Sequence, residues 1–196
     1  QGKTPSIAMS APKDPAVAAA IQDLRAAADP SRADAMAAYH KTGRLCLGVA
    51  NPDIDAAAKA WRAAMAEGPD PLAARLSLAA GLWDAGGFET RIAAAKLLTQ
   101  ARIPGDAPVW DLITSWAPQF DGWAIADAVA GAGSRRVAAD PSRLDALETW
   151  TASPRMLTRR AALVFTLPFA KTRHGDAAAR ERILGWAAGY AADRDW

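Results

Sequence analysis

Along this chain an oxygen-bearing or amide side chain is repeatedly followed at once by proline, as at Asp14-Pro15, Asn51-Pro52, Asp70-Pro71, Asp140-Pro141 and Ser153-Pro154. Asp29-Pro30-Ser31 is a looser case. At the start of a helix such a side chain accepts a bond from an orphan amide, and proline has no amide to orphan and already holds a helical φ. The pattern therefore marks where helices begin. Between the marks alanine dominates, the best helix former, and valine, isoleucine and threonine rarely cluster as a strand requires. The chain is read as all-α. Helices are expected near 15–28, 31–41, 52–66, 71–83, 88–101, 107–117, 121–132, 141–150, 154–169 and 176–192, with no convincing strand.

The connections are short, so consecutive helices should be antiparallel neighbours. From Phe88 to Arg102 the residues Ile92, Ala95, Leu98 and Ala101 form an apolar stripe opposite Arg91 and Gln100. Helices of this length stacked in pairs describe an α-solenoid. Internal self-similarity is weak: either the repeats are degenerate, or the pattern is ordinary packing in a right-angled bundle. A single helical-repeat domain over residues 1–196 is expected, with 1–13 as a lead-in; Gln1-Gly2 resembles the pair left when a tag is cleaved.

Several function classes drop out on composition. Cys46 is the only cysteine, which excludes an internal disulfide and a cysteine-rich metal site. His40 and His174 lack ligand spacing and read as a helix-surface and a loop histidine, so neither metal nor cofactor is expected. No apolar run approaches the length of a membrane span and no secretory leader opens the chain. A soluble, cytoplasmic monomer is the expectation.

The net charge of +2 is unevenly placed. Residues 1–134 hold 12 basic and 14 acidic side chains, net −2, whereas residues 135–196 hold 11 basic and 7 acidic, net +4. Within Thr149 to Gly175 lie Arg155, Arg159, Arg160, Lys171 and Arg173 and no acid. Such a stretch is either a solvated face or an anion-binding surface, and nucleic acid is the commonest large polyanion. These basic groups are expected to share a surface with Trp123.

Of the eight tryptophans, Trp61, Trp83, Trp110, Trp116 and Trp186 sit among alanine and leucine, where large rings fill gaps between small neighbours. Trp123 differs. On a helix beginning near Asp121 it lies one turn before Asp127, and Asp127 has no lysine or arginine nearby until Arg135. A carboxylate there is turned to solvent or kept for chemistry.

Four passages, taken in order, resemble the DNA alkylation repair family of HEAT-like-repeat DNA glycosylases. AMAAYHKTGRLCLGVANP, Ala35 to Pro52, is similar to that family's early helix ending in tyrosine, its leucine-glycine-aliphatic turn and the proline that opens the next helix. LWDAGGFETRIAAAKLL, Leu82 to Leu98, resembles its leucine-tryptophan helix end and the glutamate-containing helix that follows. WAIAD, Trp123 to Asp127, stands where the family has a tryptophan and, four residues later, its catalytic aspartate; TRRAALVF, Thr158 to Phe165, matches its functional arginine at Arg160.

The chain departs from that pattern in three places. Ala50 and Asn51 stand where some members carry a polar pair that meets DNA, which leaves Asn51 as the DNA-binding candidate there. Gly122 replaces a possible second aromatic residue, and the chain ends at Trp196 where the family adds further helices.

The resemblance implies a curved solenoid of degenerate HEAT-like repeats with a basic concave face, and a monofunctional glycosylase that excises cationic N3- or N7-alkylated purines from double-stranded DNA. Asp127 would be the catalytic carboxylate, Trp123 would offer its π-face to the sugar or cationic base, and Arg160 would hold a phosphate. Arg155, Arg159, Lys171 and Arg173 would contact the DNA backbone. A catalytically silent DNA-binding relative and a protein-binding helical scaffold are the alternatives.

Overall fold

The computed structural model describes residues 7–170 and 176–195. The described residues are all-α, apart from an isolated bridge between Ile7 and Arg44. No helix among them is long and apolar enough to cross a membrane. The chain divides between Leu98 and Thr99 into two compact units.

The first unit holds α1 (Pro15–Ala26), α2 (Pro30–His40), α3 (Asn51–Met65), α4 (Pro71–Ala85) and α5 (Phe88–Lys96). Three of the sequence marks cap helices here. Asp14 accepts from the Ala16 amide at 2.8 Å, Asp29 from Ser31 at 3.0 Å and Asp70 from Ala73 at 3.0 Å. Asn51 does not cap. It is the first residue of α3, with Ala50 at the cap position and no side-chain bond there. The expected stripe opposite Arg91 also fails, because α5 is buried all round and ends at Lys96. Arg91 is covered, its guanidinium 4.3 Å from the centre of the Trp83 ring, a cation–π contact that lets a charged stem share the interior.

Glu89 explains why an acid stands in the first turn of that buried helix. Its carboxylate accepts from the amides of Leu47 at 3.0 Å, Gly48 at 2.8 Å and Val49 at 3.2 Å. The extended segment ahead of α3 is thereby tied to α5, and a buried charge is satisfied by backbone donors.

The second unit holds α6 (Ala107–Trp116), α7 (Trp123–Ala139), α8 (Leu144–Trp150), α9 (Met156–Val164) and α10 (Ala177–Gly189). Asp140 caps the 3-10 turn Pro141–Arg143 by accepting from Ser142 at 3.1 Å. Ser153-Pro154 opens no helix: Ser153 Oγ takes the Arg155 amide at 3.2 Å, a local turn that competes with helix, and α9 starts at Met156. The span expected over 154–169 is α9 followed by a 3-10 turn at Leu167–Ala170.

Helix α7 begins at Trp123 and runs seven residues past the expected end at 132. Gly131 and Gly133 look like terminators, but Gly133 serves a close approach. A methyl group there would lie 2.1 Å from Phe165 Cε2, so only glycine lets α7 meet the buried Phe165 ring directly after α9. The far end of α7 is held by a charged cluster. Asp106 pairs with Arg136 at 2.8 Å and with Arg143 at 2.6 Å, and Arg136 also donates to the carbonyls of Gln100 and Ala101.

Trp83, Trp110, Trp116 and Trp186 are core residues, as their neighbours suggest. Trp61 is not: it is half-buried and donates its indole N–H to Asp23 at 2.8 Å. Trp123 is half exposed, at 51%.

Candidate active site

The site grows from the first two turns of α7. Ile125, Ala126, Val129 and Ala130 are its buried face, which leaves Trp123 and Asp127, four residues apart, together on the outer face. Helix α9 packs on α7, its Ala161 and Ala162 are buried, and buried Thr158 donates its hydroxyl to the Ala117 carbonyl at 3.1 Å. This seating brings Arg160 over the α7 surface.

Three side chains meet there. Arg160 Nη1 lies 2.5 Å from Asp127 Oδ1 and Nη2 lies 3.5 Å from Oδ2, so the guanidinium addresses both carboxylate oxygens. Its central carbon is 4.1 Å from the centre of the Trp123 ring. The Arg160 side chain is 15% exposed while that of Asp127 is 48% exposed, so the carboxylate keeps an open side. The partner of Asp127 is thus thirty-three residues downstream, invisible to any search of its own segment.

From this cluster a groove of ≈ 1140 Å³ follows the same face of α7. Its floor is small: Ala130, Gly131, Ser134 and Ala138; Val164, Leu167 and Pro168 make the opposite wall. Arg102 and Arg135, both exposed and without a partner among the described residues, line it as well. Neither was singled out by sequence reasoning. The signal existed for Arg135, which follows Asp127 by eight residues and so shares its face, whereas Arg102 reaches the groove only through tertiary structure.

The other expected contacts are dispersed. Arg155 donates Nη2 to the Phe120 carbonyl at 2.6 Å, near the start of α7. Arg159 is turned away from the triad: it pairs with Asp193 at 2.8 Å and Asp195 at 2.7 Å and donates to the Ser153 carbonyl at 3.0 Å. Hydrogen bonding to Asp193, then to Asp195, raises its pKa still further. An acid-free stretch of sequence is therefore not an acid-free surface, because the neutralising carboxylates arrive from another part of the chain. Lys171 and Arg173 lie outside the described residues, as do His174 and Trp196. Asn51 is exposed at the start of α3, in the first unit.

No group of three or more histidine, cysteine, aspartate or glutamate side chains suited to a metal ion occurs among the described residues. What the cluster offers is a fixed carboxylate beside an aromatic face and a guanidinium, opening onto a groove with free positive charge. Such a set stabilises a developing cation and holds an anion alongside it.

No curated protein matches the chain. The family model for the DNA alkylation repair enzyme matches residues 20–196 and so takes in both units and every residue of this cluster. The protein, whose Trp123, Asp127 and Arg160 meet beside a groove that Arg102 and Arg135 also line, belongs to the DNA alkylation repair enzyme family, and its role is in DNA repair.

Proposed function

We propose that the protein is a monofunctional DNA glycosylase, built of degenerate HEAT-like repeats, that hydrolyses the N-glycosidic bond of N3- or N7-alkylated purines in duplex DNA. The observation that carries this reading is the half-exposed Asp127 carboxylate beside Trp123 and Arg160 at the groove.

An alkylated purine of this kind is already a cation, so it leaves as a neutral base, taking the bonding electron pair, without needing a general acid. The sugar is left with oxocarbenium character. A fixed carboxylate stabilises that charge, orients the attacking water and accepts its proton as the oxygen bonds to the anomeric carbon. Trp123 offers its ring face to the cationic base or the sugar, a contact worth about 1 kcal/mol or more once desolvated. Arg160 holds a neighbouring phosphate, which positions the strand without reading its sequence. The protein acts as a cytoplasmic monomer and takes neither metal nor cofactor. The resemblance to the family implies that the damaged base need not be turned into a tight pocket, and an open groove along one side of α7 is compatible with that.

Arg102 and Arg135 complete the arrangement as phosphate contacts. If they serve so, the slope of log K for duplex binding against log salt should flatten by about 0.9 for each one replaced by alanine. An unchanged slope in both variants would take the groove out of the DNA path.

The reading as a whole is tested by incubating the protein with methylated duplex DNA and measuring the free bases released. Release of methylated purines is expected. Salt-sensitive duplex binding without release would favour a catalytically silent DNA-binding protein, and salt-insensitive behaviour without release would favour a protein-binding scaffold.

A further inference from the structure

The most informative contact in the cluster is the one Arg160 makes with both of its neighbours at once. A guanidinium is flat, carries one delocalised positive charge and presents N–H donors at its edge. Its central carbon lies 4.1 Å from the centre of the Trp123 ring while its two terminal nitrogens face the two oxygens of Asp127. An alkylated purine base is likewise flat, cationic and edged with donors. The indole face and the carboxylate thus already hold a small replica of the ligand that the proposed function gives them.

Resting on that functional reading, we propose that Trp123 and Asp127 form a receptor for a planar cation which the unbound protein fills with its own Arg160. The site becomes free only when a DNA phosphate draws the guanidinium away. One face of the indole at stacking distance accepts one flat partner, so arginine and base compete for it. The internal occupant is displaceable. Trp123 is 51% exposed and the Asp127 side chain 48% exposed, so although the Arg160 side chain is 15% exposed, the receptor it fills is open to solvent on one side. A phosphate offers the same guanidinium a bidentate, charge-assisted pairing in exchange.

Occupancy of this kind lowers the apparent affinity for any competing cation by the fraction of molecules in which the site is open. It also makes the site selective by polymer: a free alkylated nucleoside brings the flat cation but no phosphate to remove the arginine. DNA brings both. Free alkylated nucleosides, which keep the cationic base, would then be poor inhibitors.

The test uses 7-methylguanosine at pH 6, where it is a cation, with guanosine as the neutral control, in equilibrium dialysis against the whole protein. Arg160→Gln should bind 7-methylguanosine about ten-fold or more tightly than the unsubstituted protein. Guanosine binding should not change. Adding Trp123→Ala to Arg160→Gln should abolish the gain, and Arg160→Lys, which keeps the charge but loses the plane, should fall between. Helical content of each variant, read by circular dichroism, checks folding, and Arg160→Lys carries the comparison if Arg160→Gln does not fold. Equal or weaker binding of 7-methylguanosine by the Arg160 variants would overturn the inference. Base release from methylated duplex by the unsubstituted protein is measured in parallel. Release without the gain in binding would sink the self-occupied site and leave the glycosylase standing; the gain without release would do the reverse.

Discussion

Asp127→Asn should lower excision of methylated purines by about 10² or more, because it removes the charge that stabilises the sugar cation while keeping the size of the side chain. Binding to undamaged duplex should stay the same or tighten slightly, since a carboxylate can only repel phosphates. The two readings together are diagnostic. A solvated surface aspartate would move neither, and a residue needed only for folding would lower both along with the helical signal. Unchanged excision by the folded variant would remove Asp127 from the mechanism and leave its pairing with Arg160 a structural ion pair.

A second large effect is expected at Asp106, which is not part of the cluster of Trp123, Asp127 and Arg160. Its carboxylate is the shared partner of Arg136, whose side chain is 1% exposed, and of Arg143, at 9%. Asp106→Asn leaves two largely buried guanidinium groups facing a neutral amide, and arginine cannot escape by losing its proton. Breaking a buried pair from one side costs about 3–5 kcal/mol, which for a chain of this size lowers the midpoint of thermal unfolding by roughly 10 °C. Thermal denaturation followed by circular dichroism measures it. A midpoint within a degree or two of the unsubstituted protein would show that carbonyl groups alone satisfy Arg136.

The same cluster fixes a direction with pH. The hydrogen bond from Arg143 is the largest influence holding the Asp106 carboxyl below its ordinary pKa, with burial opposing it and Arg136 adding to it. A depressed carboxyl adds stability above its unfolded value, about 3.9, and that contribution is lost as pH falls through the lower folded value. Acid should therefore narrow the gap between the unsubstituted protein and Asp106→Asn. A gap that widened on acidification would contradict the pairing.

What could be read in the sequence was what neighbouring residues decide among themselves. Asp14, Asp29, Asp70 and Asp140 each capture an amide two or three residues on, so an aspartate followed by proline was enough to locate a helical start. Ser153 makes the same kind of local bond, but it closes a turn there, and Asn51 stands inside its helix. The choice between those outcomes belongs to the packing that follows and leaves no local trace. The all-α class was legible for the same local reason.

The site divides along the same line. Trp123 and Asp127 share a helix face, so their proximity follows from spacing alone. The engagement of Arg160 by Asp127, the capture of Arg159 by Asp193 and Asp195, and the arrival of Arg102 at the groove all cross between elements. Charge counts along the chain carry no record of such crossings. Family resemblance reached Arg160 where spacing could not, and it marked neither Arg102 nor Arg135.

The close approach of Gly133 to Phe165 has a consequence in angular tolerance. Asp127 lies six residues before that contact on α7, and Arg160 lies five residues before it on the α9 side. At 1.5 Å per residue the Arg160 backbone stands about 7.5 Å from the pivot, so a tilt of α9 by roughly 4° about it displaces the root of that side chain by about 0.5 Å. That is about the positional error a functional constellation absorbs before its geometry fails. The contact acts as a fulcrum whose stiffness sets the aim of the arginine. A bulkier residue at Gly133 should therefore blunt the site through misalignment even in a variant that remains folded and helical.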